Sequence, residues 1–267
     1  MKKQEIQQDI LNEISNGGGL PWRRPWNIEP AKNALTGHIY RGVNIFFTQH
    51  YGEGCREFVT FVQASKNGYK IKKGTRAVPT IFFKMLEKEQ SNGKIKKTPF
   101  WKNWSVFPVW DLEGYEYIPS EDTETIDAMA KKYIILKNVQ QKIKINGIEV
   151  IEANSNRALY SPGKNRIVIP ANIPDDEEKI STFFHEAVHT TKDLRNYNHD
   201  TDHGRAMEEL VAEIGASLLC AYAEIDNTYE NSKSYIKSWY ELIEKRVENF
   251  YIAFNQADKA VNQLLYK

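Results

Sequence analysis

The segment from residue 174 to residue 191, PDDEEKISTFFHEAVHTT, is the stretch that most restricts the possible folds of this chain. Acidic residues follow Pro174, and apolar residues then recur at the spacing of a helix with one buried face. His185 and His189 are four residues apart, so they project from the same side of that helix, with Glu186 displaced by about 100°. Two imidazoles in this arrangement can bind one zinc ion, and the adjacent glutamate can reach a water molecule there. The same residues could also be partly buried polar contacts, so a third ligand is required.

The segment RAMEELVAEIGASLLCA supplies a candidate third ligand on a second helix. Glu209 lies twenty residues after His189, and Glu213 follows on the same helix face. Two histidines and Glu209 would leave a fourth coordination position open, as in catalytic zinc sites. Glu213 is then expected to accept the remaining ring N–H of a liganding histidine. Glu208 is a rival third ligand, and Gly215 and its small neighbours are expected to let this helix pack closely.

The chain has an HExxH motif, then Glu209, then an acidic residue four positions later. This order of residues resembles that of the gluzincin class of zinc metallopeptidases. The resemblance implies that one Zn²⁺ is bound by His185, His189 and Glu209, and that Glu186 is the catalytic general base. Arg195 and Lys192 occupy the positions at which a metzincin would need histidine and glycine. The strand candidate at 164–171 resembles the edge strand on which zincins align a peptide. The donor to the oxyanion stays open among Tyr160, Tyr197, His199 and His203.

Charge is distributed unevenly along the chain. Residues 1–110 contain 18 lysines and arginines against 8 acidic residues, whereas residues 111–267 contain 18 against 27. This asymmetry indicates that the first half meets a polyanion, although two domains of different surface composition would give the same pattern. The basic half is also aromatic, and LPWRRPWN places two tryptophans beside two arginines.

Lysine or arginine beside aromatic rings is typical of sites for single-stranded nucleic acid, where cations neutralise phosphates and unpaired bases stack on the rings. Phe46, Phe47, Phe82 and Phe83 lie within apolar runs and are expected in the core instead. The candidate DNA-binding residues are Trp22, Arg23, Arg24, Trp26, Tyr40, Arg41, Asn44, Gln63, Lys70, Lys72 and Lys73.

The pattern of predicted elements indicates an α+β protein with two domains. Short β-like runs at 38–47, 56–64, 77–86 and 103–112 predict an α+β N-terminal domain, residues 1–120, with an antiparallel sheet. The polar segment 118–127 is the candidate linker, and residues 125–267 form the second domain, with helices predicted near 125–143, 175–190 and 205–223. An amphipathic helix is expected over residues 4–16 and another from about residue 232 onward.

The remaining bulk features favour the cytoplasm. No apolar run approaches the roughly 20 residues that a membrane-spanning helix needs, and the N-terminal residues lack the apolar core of a signal peptide. Cys55 and Cys220 are far apart, which favours a reducing compartment and excludes a cysteine-built metal site.

The order of motifs resembles one family over nearly the whole chain. PWRRPW, YRGVN, TFVQA and VFPVWDLEG, followed by HEAVH and EELVAEIGA, are similar to ArdC-type antirestriction proteins and related plasmid primases. The resemblance implies a single-stranded DNA-binding domain followed by a zincin-like metallopeptidase domain with its active-site helix. No primase-type catalytic segment is found, and residues 230–267 match no motif.

The function implied is a cytoplasmic antirestriction protein of a plasmid or phage, which binds single-stranded DNA, has a protein or peptide substrate, and protects incoming DNA without a membrane partner. An alternative is a non-catalytic single-stranded DNA-binding protein whose zinc site is structural or vestigial. A third reading is a peptidase regulator whose basic half docks an acidic protein.

Overall fold

The computed structural model describes residues 3–15, 20–21, 31–89, 95–117, 128–195, 197–225 and 236–266. The fold is mixed α+β, as the sequence predicts, and it contains two compact units. In the described residues no helix combines the length and the apolar character that crossing a membrane requires.

The first unit is built on a sheet of four strands in the order β1-β2-β5-β4. These are β1 (Lys32–Asn33), β2 (Glu57–Thr60), β4 (Val78–Glu89) and β5 (Ile95–Pro108), and only β1 and β2 pair in parallel. The unit also contains the helices α2 (Val43–Tyr51) and α3 (Phe61–Lys66) and a small antiparallel pair formed by β3 (Lys70–Ile71) and β6 (Leu112–Glu113).

Two expectations for the first unit are wrong. The β-like run 38–47 contains the start of helix α2, because its apolar residues fit either period and the helix buries Phe46 and Phe47 completely. The core location of those two side chains is confirmed. Phe82 was expected beside them, but half of its surface is exposed on β4. The side chain of Phe83 lies outside the described residues.

The second unit contains α1 (Lys3–Ser15), the three-stranded sheet and the remaining helices. The helices are α4 (Ala128–Ile145), α5 (Asp176–His189), α6 (Asp202–Tyr222), α7 (Ile236–Lys245) and α8 (Glu248–Tyr266). Helix α1 is the amphipathic helix that the sequence predicts, and it packs against α7. Gln7 Nε2 donates hydrogen bonds to the carbonyl oxygens of Ile243 and Glu244, both at 2.7 Å.

The sheet of the second unit has the order β7-β9-β8, from β7 (Glu149–Ala153), β8 (Leu159–Ser161) and β9 (Arg166–Pro170). Strand β9 pairs in parallel with β7 and antiparallel with β8. The expectation that the strand at 164–171 is the edge strand is therefore wrong. Its apolar pattern is that of a central strand, and β8 lies at the edge.

The C-terminal residues that match no motif have a clear packing role. Helix α8 lies against α6 and α5 and buries Phe250, Ala253 and Phe254. Helix α6 therefore packs on α8 through apolar side chains, and this close packing fixes the position of Glu208 and Glu209 relative to α5.

Candidate metal centre

Helices α5 and α6 form the centre, and each begins at a defined cap. Asp175 accepts a hydrogen bond from the Glu178 backbone N–H at 2.8 Å, and Thr201 accepts one from the Gly204 N–H at 3.0 Å. The two helices approach closely at Gly215, where a Cβ atom would lie 2.8 Å from Val188 Cγ2. The predicted close packing at Gly215 is confirmed.

Gly215→Ala is expected to lower the free energy of unfolding by about 1–2 kcal/mol. The added methyl group would be overpacked against the stiff, fully buried Val188, which destabilises the fold by about 1–3 kcal/mol. The higher helix propensity of alanine offsets at most about 1 kcal/mol of this loss. Urea unfolding measures the change, with Gly163→Ala as the control because a Cβ atom there meets nothing within 4 Å. A Gly215→Ala protein as stable as the parent would contradict this packing.

The structure brings His185, His189 and Glu209 together, with one ligand atom of each within 4.8 Å of the others. The two Nε2 atoms are 3.2 Å apart. Glu209 Oε2 lies 3.4 Å from His185 Nε2, and Glu209 Oε1 lies 3.7 Å from His189 Nε2. Ligand atoms around a tetrahedral zinc ion, with bonds of about 2.0–2.1 Å, are about 3.3 Å apart. The donor set and its spacing therefore fit one divalent metal ion.

Each histidine turns its other ring nitrogen toward a carboxylate. Glu213 is the carboxylate expected beside His185, and its Oε2 lies 3.8 Å from His185 Nδ1, a distance longer than a hydrogen bond. Glu208 Oε1 lies 2.8 Å from His189 Nδ1. A neutral imidazole that donates from Nδ1 keeps its Nε2 lone pair for a metal. Glu208, considered as a rival ligand, therefore lies on the outer side of His189.

Glu208 is held by a group of polar residues that sequence reasoning missed. Tyr197 donates a hydrogen bond to Glu208 Oε2 at 2.8 Å, and Arg195 Nε lies 3.1 Å from the same oxygen. Arg195 is buried and also donates to the carbonyl oxygen of Val188 at 3.2 Å. The arginine thus connects the end of α5 to the start of α6. The only sequence signal was an arginine and a tyrosine in the short segment between the helices.

These contacts set the charge state of the centre. Burial alone would raise the pKa of Glu208, but the His189 hydrogen bond and the Arg195 guanidinium outweigh it and hold that pKa below its ordinary value. Burial alone would lower the pKa of His189, but the hydrogen bond to Glu208 and the charge of Glu209 raise it above its ordinary value. Burial and the adjacent Glu208 carboxylate raise the pKa of Tyr197, so this side chain stays a neutral donor.

Glu208→Gln is expected to weaken metal binding by about 10- to 100-fold, because His189 loses the carboxylate that fixes its tautomer and orientation. Competition titration with a chromophoric chelator measures the affinity. Exposed Glu241 on α7 gives the matched control, Glu241→Gln, which should bind as the parent does. Equal affinities for both variants would contradict the positioning role of Glu208.

Glu186 and the three donors open into one cleft of about 600 Å³. Glu186 is only 4% exposed, so it does not act as a freely solvated surface carboxylate. Leu159 and Tyr160 of the edge strand β8 also line this cleft, as do Arg157, Lys192 and His199. Burial, followed by the charge of Asp193, raises the pKa of Tyr160.

The four oxyanion-donor candidates now separate by position. Tyr160 and His199 line the cleft together with the donors. Tyr197 uses its hydroxyl on Glu208, and His203 is not one of the described residues that line the cleft.

The candidate DNA-binding residues fall into three groups. Trp22, Arg23, Arg24 and Trp26 lie outside the described residues. Tyr40, Asn44 and Gln63 make internal contacts. The buried Tyr40 ring packs edge-on against Phe58, and the Asn44 side chain is hydrogen-bonded to the backbone N–H and carbonyl oxygen of Ile81. Gln63 completes the N-terminal capping box of α3. Arg41, Lys70, Lys72 and Lys73 are exposed, and the Lys72 ammonium donates to the Trp110 carbonyl oxygen at 2.8 Å.

Comparison with known families matches both halves of the chain. Residues 2–107 match the N-terminal domain of anti-restriction factor ArdC, and residues 137–256 match a zincin-like metallopeptidase domain. Two curated relatives, each a DNA primase TraC from Escherichia coli, are 24% identical over 292 residues and 21% identical over 295. These alignments cover 98% and 95% of this chain but only 20% and 27% of the relatives, so the chain spans about a quarter of their length or less.

Two solved structures of the antirestriction protein ArdC from plasmid R388 share the fold. The metal-free structure is 25% identical and the Mn(II)-bound structure 24% identical, each with a TM-score of 0.72. Both cover 98% of this chain, and the chain covers 95% and 96% of them. The chain therefore has an ArdC-type N-terminal domain followed by a zincin-like metallopeptidase domain, and it shares the fold of a solved ArdC antirestriction protein over nearly its whole length.

Proposed function

We propose that this chain is a single-stranded DNA-binding antirestriction protein with a zinc metallopeptidase-like domain, which acts in the cytoplasm and protects the DNA of a mobile element as it enters a host. The observation that carries the proposal is the convergence of three metal donors beside the buried Glu186, in a cleft lined by an edge strand.

We propose that the donor set of His185, His189 and Glu209 binds zinc. Two imidazoles and one carboxylate are the ligands of many catalytic zinc sites, and a carboxylate at hydrogen-bond distance from Nδ1, as Glu208 is from His189, is a typical outer partner. A zinc ion in this site would supply Lewis acidity toward a peptide carbonyl group. Within the part of the chain that the structure describes, the cluster contains three protein ligands rather than the four of a closed structural site, which supports a catalytic role over a vestigial one.

The residues of the chain have distinct roles in the proposed hydrolysis. Among the described residues strand β8 pairs only with β9, and it lines the cleft, so an extended peptide can pair with its other edge as an added strand. Glu186 takes a proton from the attacking water and delivers it to the leaving amine. Tyr160, kept protonated by its surroundings, donates a hydrogen bond to the developing oxyanion.

The DNA-binding part of the proposal is supported by charge and by family. The excess of lysine and arginine lies in the first 110 residues, and the matched N-terminal domain is named for an anti-restriction factor. Arg41, Lys70 and Lys73 are exposed on this unit and are available to phosphate groups. The curated relatives are named as DNA primases, which is a DNA-directed class of protein.

Transfer of a plasmid into paired recipient strains tests the antirestriction function. A plasmid that carries this gene should be recovered more often in a restricting recipient than the same plasmid without it. Recovery in a recipient that lacks restriction should be equal for both plasmids. Equal recovery in the restricting recipient, with the protein shown to be expressed, would contradict the proposal.

A further inference from the structure

The hairpin of β4 and β5 exposes one face that the core of the first unit does not explain. The two strands pair in register from Val78 opposite Val106 to Glu89 opposite Ile95. Because successive strand residues alternate between faces, every second position belongs to one row across the hairpin. In this row Phe82, Leu86, Phe100 and Trp104 are 52%, 45%, 42% and 49% exposed. We refer to the even-numbered positions 82–88 and 96–104 as the hairpin face; Thr80, at the next position of the same row, is buried.

Lysines alternate with these apolar residues on the hairpin face. Lys102 is paired with Phe82, and its ammonium lies 4.3 Å from the centre of the Trp104 ring. Lysines also occupy positions 84, 88 and 96, with Lys84 opposite Phe100. No aspartate or glutamate occupies the row, and the exposed Glu89 belongs to the opposite face.

This composition selects one kind of partner. An exposed row of large apolar side chains marks an interaction surface. A hydrophobic protein partner is disfavoured, because the lysines would have to be desolvated without acidic partners. A duplex offers phosphates but keeps its base faces stacked. Single-stranded nucleic acid offers both phosphates for the lysines and free base faces for the rings.

We infer that the hairpin face is the surface on which this protein binds single-stranded DNA, with bases stacked on Phe82, Phe100 and Trp104 and phosphates near Lys102. The inference rests on the proposed DNA-binding function and assigns it to a surface. It moves the main stacking site from the candidate residues chosen on sequence to the β4–β5 hairpin, where Phe82 was expected in the core.

Fluorescence anisotropy with labelled oligothymidylate tests the inference on the full-length protein. Phe100→Ala and Trp104→Ala should each weaken binding by about 5- to 150-fold, the range for the loss of one stacked base. Trp104→Phe keeps an aromatic face and should stay closer to the parent. Lys102→Gln should reduce the slope of log affinity against log salt by about one.

Phe61→Ala is the matched control, since Phe61 is 64% exposed on α3 of the same unit but lies outside the hairpin. Unchanged circular dichroism and melting of each variant separate lost binding from lost fold. If the parent binds oligothymidylate and the hairpin variants bind as tightly as Phe61→Ala, the hairpin face is not the DNA site, although DNA binding stands. If the parent itself fails to bind at low salt, the proposed DNA-binding function fails, and the assignment fails with it.

Discussion

Replacing His185 with alanine is expected to abolish stoichiometric metal binding. The Nε2 atom of His185 lies 3.2 Å from that of His189 and 3.4 Å from Glu209 Oε2, so its loss removes one of three donors. Loss of an outer partner of a metal ligand costs about 10- to 100-fold in affinity, and loss of the ligand itself should exceed the upper figure. The remaining histidine and carboxylate are too few to form a tight site.

Elemental analysis and chelator competition on the purified protein measure this effect. The chain offers a matched control in His203→Ala, because His203 is exposed and is not part of the donor cluster. That variant should retain one ion per chain with affinity within about twofold of the parent. A His185→Ala protein that keeps one tightly bound ion would show that the metal lies elsewhere.

Glu186→Gln is expected to eliminate peptide hydrolysis while leaving the metal in place. Glu186 is not one of the three donors, so metal content should stay the same. The amide has nearly the same shape but cannot take a proton, and loss of a general base costs about 10²–10⁴-fold in rate. Glu241→Gln, on the exposed surface of α7, is the control for the charge change.

The rate measurement needs a peptide library and a product readout that resolves slow turnover, such as mass spectrometry. Hydrolysis by the parent and Glu241→Gln, with loss in Glu186→Gln at equal zinc content, identifies Glu186 as the base. If Glu186→Gln cleaves at the parental rate, the glutamate is a bystander. Lack of cleavage by the parent itself would favour the non-catalytic alternative, in which the protein binds DNA and its metal site is structural.

Much of the metal centre could be predicted from the sequence because its geometry is local. His185 and His189 share a helix face at a spacing that any α-helix imposes, and Glu209 and Glu213 do the same on α6. The meeting of the two helices required one further inference, close packing at Gly215, and a glycine within an apolar helix face is a visible signal for it.

The role of Glu208 could not be predicted, because adjacent helix positions differ by only about 100° and both acids can face the same neighbour. The position of the two histidine rings decides which acid meets Nε2 and which meets Nδ1. Arg195 and Tyr197, which hold Glu208, lie between the helices, where no periodic pattern predicts the path of the chain.

Sequence reasoning placed Phe82 in the core because an apolar run does not reveal which of its faces is covered. The pairing with β5 identifies the exposed face of β4, since Phe82 lies opposite Lys102 and near the exposed Trp104. Strand β8 was missed as the edge strand for a similar reason. It is only three residues long, and the more apolar strand β9 lies at the centre of the sheet.

A crystal structure of the zinc-loaded protein, with anomalous data at the zinc edge, would locate the metal ion and its ligands. We expect one zinc ion per chain, bound by His185 Nε2, His189 Nε2 and Glu209, with a non-protein ligand completing the site. Glu208 should remain hydrogen-bonded to His189 Nδ1, and Glu213 should lie beside His185 Nδ1. A fourth protein ligand that closes the site, or an ion bound away from these three donors, would contradict the account.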